Sequence, residues 1–242
     1  MKAMILAAGM GSRLKPLTDH IPKALVEING KSLLQLVIER LKPFAVTEII
    51  INVHHHGQQI VDFVVAHELF GLWIEFSRET ELLDTGGGLK KAAWFFDDGA
   101  PFLVHNVDVL SDLDIFEMAK THRQSGALAT VAVRSRQTSR YLLFDEQNRL
   151  CGWRSVKDGQ EKIVRPGVKS LKPLSFMGIH IISPEIFTFM PAQERFSIID
   201  LYLDLAARGK SIMAYRADEC RWIDLGKRES FEQVKTIFPE LF

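Results

Sequence analysis

Two cysteines in 242 residues are too few and too unpatterned for a disulfide scaffold or a zinc site, so Cys151 and Cys220 read as reduced thiols. Charge of one sign is also missing. Thirty Lys and Arg balance thirty Asp and Glu, which removes the basic face that sequence-independent nucleic-acid binding rests on. Any recognition of phosphate should therefore be local. No apolar run reaches the length of a membrane span, and the N-terminal residues lack the basic region, apolar core and cleavage site of a secretory signal. Neither nucleic acid nor membrane is an expected partner, and the expected location is cytoplasmic. Internal repeats and low-complexity linkers are absent as well. What is present, 47% hydrophobic and 25% charged residues, suffices to bury the core of a single domain over residues 1–242.

Apolar runs alternate with helical periodicities along the first half. The runs 2–8, 48–53, 72–77, 101–106 and 127–133 read as strands, and 31–41, 58–70, 88–96 and 113–125 read as helices. This βαβα rhythm predicts an α/β fold, a doubly wound, mostly parallel, Rossmann-like sheet. Past residue 134 the rhythm breaks. Residues 141–145 and 149–155 flank Glu146-Gln-Asn as a hairpin, and 174–182 is a further strand. With helices near 184–190, 198–208 and 227–237, the C-terminal half should add a smaller mixed sheet. The polar, proline-containing stretch 157–172 reads as a mobile loop.

The first strand runs directly into Gly9-Met-Gly-Ser-Arg13, with Lys23 ten residues on. Gly9 and Gly11 permit positive φ and let backbone N–H groups approach an anion. Arg13 supplies a forked, permanent charge and Lys23 a point charge, so a polyphosphate could be held by both. Glycines alone would mark an ordinary tight turn. A dinucleotide fingerprint requires glycine where Leu14 stands, and the ATPase P-loop spacing does not occur.

Asp108 follows the apolar run 101–106, at a strand's carboxyl end where open α/β sheets place their ligand crevice. Asp224 lies between an apolar run and a helix. Each could be a turn or cap residue, with Ser111 and Asp112 competing for the cap before Leu113, or one of a pair of Mg²⁺ ligands. The three glycines 86–88 could offer bare backbone to a flat base, with Thr85 and the N–H groups as hydrogen-bond partners, or could form a loop entering a helix near Leu89. Glu79 or Glu81 could accept from the base. His54-His55-His56 reads as structural rather than metal-binding, because adjacent imidazoles project on alternate sides of a strand end. Trp94-Phe95-Phe96 reads as core packing.

Leu6-Ala-Ala-Gly-Met-Gly-Ser-Arg-Leu-Lys-Pro-Leu-Thr with Pro22-Lys23 resembles the signature of the sugar-1-phosphate nucleotidyltransferases. The resemblance continues through Glu79 to Leu89, Phe102 to Asp108, Phe176-Met-Gly-Ile and Trp222-Ile-Asp-Leu-Gly. Within that family it is nearest the N-acetylmuramate-1-phosphate uridylyltransferases, then the mannose-1-phosphate guanylyltransferases. It implies a nucleotide-binding half, 1–134, and a sugar-binding half, 135–242. It implies nucleotide contacts at Leu6, Ala7, Ala8, Gly9, Gly11, Ser12, Arg13, Lys23, Glu79, Thr85, Gly86, Gly87 and Asn106. Sugar contacts are implied at Asp108, Phe176 and Gly178, Mg²⁺ at Asp108 and Asp224, and catalytic roles for Arg13, Lys23, Asp108 and Asp224. Arg165 or Lys169 could reach the sugar phosphate. The partners implied are a nucleoside triphosphate and a sugar 1-phosphate, in a monomer or small homo-oligomer. Val107 departs from the glycine frequent in the family. A nucleotide-binding regulator without the chemistry, and an NAD-dependent oxidoreductase, are the competing readings.

Overall fold

A computed structural model describes residues 1–168 and 170–242, which form two compact units. Unit 1 comprises residues 1–83, 104–113 and 220–242, and unit 2 comprises 84–103 and 114–219. The chain is α/β, with a mostly parallel Rossmann-like sheet and smaller antiparallel pieces, as the rhythm predicts. None of the described helices is long and apolar enough to cross a membrane.

In unit 1, β1 (Lys2–Leu6), β4 (Glu48–Val53) and β5 (Trp73–Arg78) pair in parallel, and β6 (Phe102–Asn106), which enters unit 1 at Val104, lies on the other side of β1. Ala3, Met4, Ile5 and the Ile49–Ile51 run are completely buried, as expected for strands covered on both faces. Helix α1 (Leu33–Leu41), capped by Ser32, and α2 (Gly57–Ala66) complete the crossovers. Two small ladders escaped the sequence reading: β2 (Glu27–Ile28) with β3 (Lys31–Ser32), and β7 (Val109–Ser111) with β14 (Trp222–Asp224). The last helix, α6 (Arg228–Ile237), adds Val234 to a core of Leu33, Leu36, Leu110, Ile223 and Leu225.

Unit 2 holds the antiparallel strands β9 (Arg140–Phe144), β10 (Leu150–Ser155), β11 (Glu161–Ile163) and β12 (Lys172–Ile182). Strand β8 (Ala129–Arg134) lies between β12 and β13 (Ile212–Arg216). Its helices are α3 (Asp84–Lys91), α4 (Ile115–Ser125) and α5 (Ile198–Ala207). Three sequence expectations change. The glycine block is the first turn of α3 rather than a loop before it. Strand β11 occupies part of the stretch read as a loop. Trp94 is exposed, and only Phe95 and Phe96 pack inward, Phe96 stacking on Phe102.

Candidate active site

The glycine loop is pinned at its far end. Gly11 has φ +62°, and a methyl group there would sit 2.8 Å from Thr18 Cγ2, so both conformation and space require glycine. The Thr18 hydroxyl and the Leu14 N–H each donate to the Gly11 carbonyl at 2.8 Å. Leu14 itself is completely buried, which explains a large side chain where a dinucleotide fingerprint has glycine. Ala7 and Ala8 are buried, whereas Gly9, Ser12 and Arg13 face solvent. The loop is thus a turn whose tip is free to meet an anion.

The β7–β14 ladder brings the two carboxylates together. Asp224 pairs with Val109, the residue after Asp108, and the Leu225 N–H donates to the Asp108 carbonyl at 2.7 Å. The Asp108 carboxylate takes the Lys23 ammonium through Oδ2, both side chains being largely buried. Asp224 Oδ1 accepts the Gly226 N–H at 2.7 Å. A methyl group on Gly226 would stand 2.7 Å from Arg13 Nη2 and 2.8 Å from Asp224 Oδ1. Bare backbone there lets the guanidinium and the carboxylate close on one point. Unit 1 therefore gathers Arg13, Lys23, Asp108 and Asp224, four charged groups from four separate stretches of chain.

The capping alternative for Asp108 falls away, because Asp114 caps α4 by accepting from the Glu117 N–H, and Ser111 accepts from Leu113. Asp224 does hold a turn, through Gly226, yet its other oxygen keeps acceptor capacity. Each carboxylate has one oxygen engaged by a protein donor, which leaves a donor set suited to Mg²⁺ with its retained waters and phosphate oxygens.

Behind the loop, the Ala7 N–H donates to Asn52 Oδ1 and Asn52 Nδ2 donates to Glu79 Oε1, both at 2.7 Å. Glu79 Oε2 accepts the Leu83 N–H at 3.0 Å. The Glu79 carboxylate is thus buried, and each of its oxygens accepts one N–H from the protein. Asn52 was missed, although a single amide in the run Ile-Ile-Ile-Asn-Val is a visible signal. His54 Nδ1 meets the Glu79 carbonyl at 2.9 Å. His56 enters α2 at φ +55°, so the histidine run serves the strand-to-helix turn. Among the described residues no group of three or more His, Cys, Asp or Glu could hold a metal. Asn106 ends β6, its carbonyl 2.8 Å from the His105 ring. Burial holds His105 down at about 4 despite the nearby Asp108 charge.

In unit 2, the Gly86 and Gly87 N–H groups donate to the Phe196 carbonyl at 2.9 and 3.2 Å, and Thr85 Oγ1 accepts from the Ile198 N–H. A methyl on Gly86 would lie 2.4 Å from the Phe196 ring. The bare-backbone surface expected for a base is therefore already covered at Gly86. Phe176 is half-buried, with its ring 4.6 Å from His180. Gly178 has φ +79° within the register shift between β12 and β8, a bulge that favours glycine. Arg165 donates to the Lys210 carbonyl at 2.6 Å. Lys169 lies outside the described residues.

The family model described as Nucleotidyl transferase matches residues 2–239. A UTP–glucose-1-phosphate uridylyltransferase of Synechocystis sp. is 32% identical over 97% of this chain and 62% of its own length. A mannose-1-phosphate guanyltransferase of Yarrowia lipolytica is 32% identical over 96% and 62%. An N-acetylmuramate alpha-1-phosphate uridylyltransferase of Neisseria meningitidis is 37% identical over 77% of each chain. The chain thus spans 62% of the length of the first two relatives. Among solved structures, HddC from Yersinia pseudotuberculosis in complex with GMP-PN shares the fold at TM-score 0.76 and 24% identity, over 96% of both chains.

Proposed function

We propose, from a chain that belongs to the nucleotidyl transferase family, that this protein moves a nucleoside monophosphate from a triphosphate to a sugar 1-phosphate and releases pyrophosphate. The observation that carries the reading is the convergence of Arg13, Lys23, Asp108 and Asp224 beside a glycine turn whose tip is exposed. A sugar-phosphate oxygen attacks the α-phosphorus in line, the bond to the β-phosphate oxygen breaks, and that oxygen leaves with the pyrophosphate. The nucleophile is already ionised at neutral pH, so no general base is needed and catalysis consists of positioning and charge stabilisation. Arg13, with its planar fork, neutralises the departing pyrophosphate. Lys23 stabilises charge growing on the α-phosphate, and Asp108 holds that ammonium in place until the triphosphate arrives. Asp108 and Asp224 would hold Mg²⁺, which when bound supplies neutralisation and alignment of phosphate oxygens. The sugar contacts in this reading are Asp108, Phe176 and Gly178.

For the substrate pair we favour UTP with N-acetylmuramate 1-phosphate. The Neisseria relative supports it, with the highest identity of the three and the same share of both chains covered. Mannose 1-phosphate with GTP is the second reading, supported by the Yarrowia relative. Pyrophosphate release with Mg²⁺, measured for UTP, GTP, CTP, ATP and dTTP against N-acetylmuramate, mannose and glucose 1-phosphates, tests both. The highest kcat/KM is expected for UTP with N-acetylmuramate 1-phosphate. GTP exceeding UTP with every sugar phosphate transfers the assignment to guanylyl transfer. Triphosphate binding without any turnover indicates a regulator, and affinity for NAD with no metal requirement indicates an oxidoreductase.

A further inference from the structure

The tip of the glycine loop has almost nothing of its own to hold it. Met10 is 52% exposed and a methyl on Gly9 would meet no atom within 4 Å. Its position must come from its two ends. The far end is fixed through the Gly11 carbonyl, and the near end through β1. There the parallel register sets Leu6 opposite Asn52, and the Val107 N–H donates to the Leu6 carbonyl at 3.1 Å. The next N–H, that of Ala7, goes to the Asn52 side chain rather than to backbone.

That choice dictates everything behind it. The Ala7 N–H can only donate, so the Asn52 oxygen must face it and the Asn52 NH₂ must face Glu79. Glu79 must then accept on one oxygen from Asn52 and on the other from the Leu83 N–H. Asn52 and Glu79 are 3% and 6% exposed, so a reversed amide in this line leaves a buried donor facing a donor and a buried acceptor facing an acceptor. The Glu79 N–H also donates to the Val53 carbonyl at 2.8 Å, fixing its backbone to β4.

We infer that Asn52 and Glu79 are positioning residues that set the triphosphate loop through the polarity of the hydrogen-bonded line Ala7–Asn52–Glu79–Leu83. The inference rests on the proposed role of that loop in holding the triphosphate. It predicts a specific rescue. Asn52→Asp keeps the acceptor for Ala7 but sets two carboxylates against each other. Glu79→Gln leaves an amide NH₂ facing either Asn52 or the Leu83 N–H. When Asn52→Asp and Glu79→Gln are combined, the carboxylate at position 52 accepts from both the Ala7 N–H and the new amide NH₂. The oxygen of that amide accepts from Leu83, and every bond is restored with its direction reversed at one place.

The test compares the wild type, both single variants and the double variant at a temperature where circular dichroism shows all four folded. Each single variant is expected to raise KM for the triphosphate or lower kcat/KM about tenfold or more. Each is also expected to speed amide exchange across residues 4–14 by a similar factor. The double variant should return to within about threefold of wild type. For Asn52→Asp alone, lowering the pH should recover part of the loss, since two facing carboxylates take up a proton more readily than one. Unchanged KM and kcat/KM in the single variants, or a double variant no better than the worse single, would overturn the inference. Should the wild type turn over no triphosphate, the nucleotidyl-transfer reading fails on its own. Calorimetric binding of Mg-UTP and the exchange of residues 4–14 would then decide the relay, the same rescue pattern upholding it and its absence sinking it.

Discussion

The Asp108 backbone owes its place to neighbours that are not charged: an apolar strand carries it outward, and the Leu225 N–H ties its carbonyl to the chain beside Asp224. Asp108→Asn preserves that shape and can still accept from Lys23, but it removes the charge a divalent cation would need. Turnover should fall at least about 100-fold with the fold retained, while the loss of the counter-charge to the largely buried Lys23 ammonium should cost about 1–3 kcal/mol of stability. Turnover near that of wild type at limiting Mg²⁺ would end the metal assignment. His122 makes a different kind of demand. Its ring lies between the Thr130 and Ser183 hydroxyls at 2.9 and 3.0 Å, and burial lowers its pKa from 6.5 to about 4. The folded state therefore favours the neutral ring. The stability this represents is fully present above about pH 6.5 and is lost as the pH falls towards 4, because the unfolded chain takes up the proton first. Between pH 7 and 4.5 the loss should amount to about 2 kcal/mol. His122→Asn should remove most of that slope in urea unfolding at the two pH values, and an unchanged slope would assign the acid sensitivity elsewhere.

Helix α3 shows how an element can form against its own propensities. Three glycines cost roughly 1 kcal/mol each relative to alanine in a helix interior, and the sequence accordingly reads as a loop. Phe196 reverses the balance, its carbonyl taking two of the N–H groups that a first helical turn leaves without partners. Its ring fills the space beside Gly86, where a side chain would stand. Gly86→Ala gains helix propensity but forces a methyl to within 2.4 Å of that ring and 2.9 Å of the Phe196 carbonyl. Overpacking should win, with a net destabilisation of about 1–3 kcal/mol in denaturant unfolding. A stabilised variant would show that the glycine is kept for another reason.

At the scale of the molecule, unit 1 is closed by the chain's last stretch. Residues 220–242 supply β14, Asp224, and Ile223, Leu225, Val234 and Phe238 for a core shared with Leu33, Leu36 and Leu110. Ending the chain after Glu219 exposes that core and strips β7 of its partner. Such a chain should lose cooperative unfolding for unit 1, seen as loss of slow amide exchange in β1 and β4, instead of losing only a tail. Retained protection there would mean the closing segment is an accessory.

The main strands and helices and the glycine turn were legible in the sequence because each depends on local information, whereas the four charged residues were visible only as separate candidates, and the β7–β14 ladder that brings Asp108 beside Asp224 was not. Buried strands are continuous apolar runs, and Gly11 is required by its own φ. A residue such as Asn52 was visible only as an amide out of place among isoleucines. Which donor it would serve depended on the register that sets it opposite Leu6. The helical state of the glycine block and the employment of Glu79 were likewise decided by partners distant in sequence, Phe196 for one and Asn52 with Leu83 for the other. A carboxylate on a loop reads the same whether it stands in solvent or is buried against two N–H groups. Only tertiary structure brings those donors to it, because burial and hydrogen-bond partnership are properties of the folded chain and not of the residue.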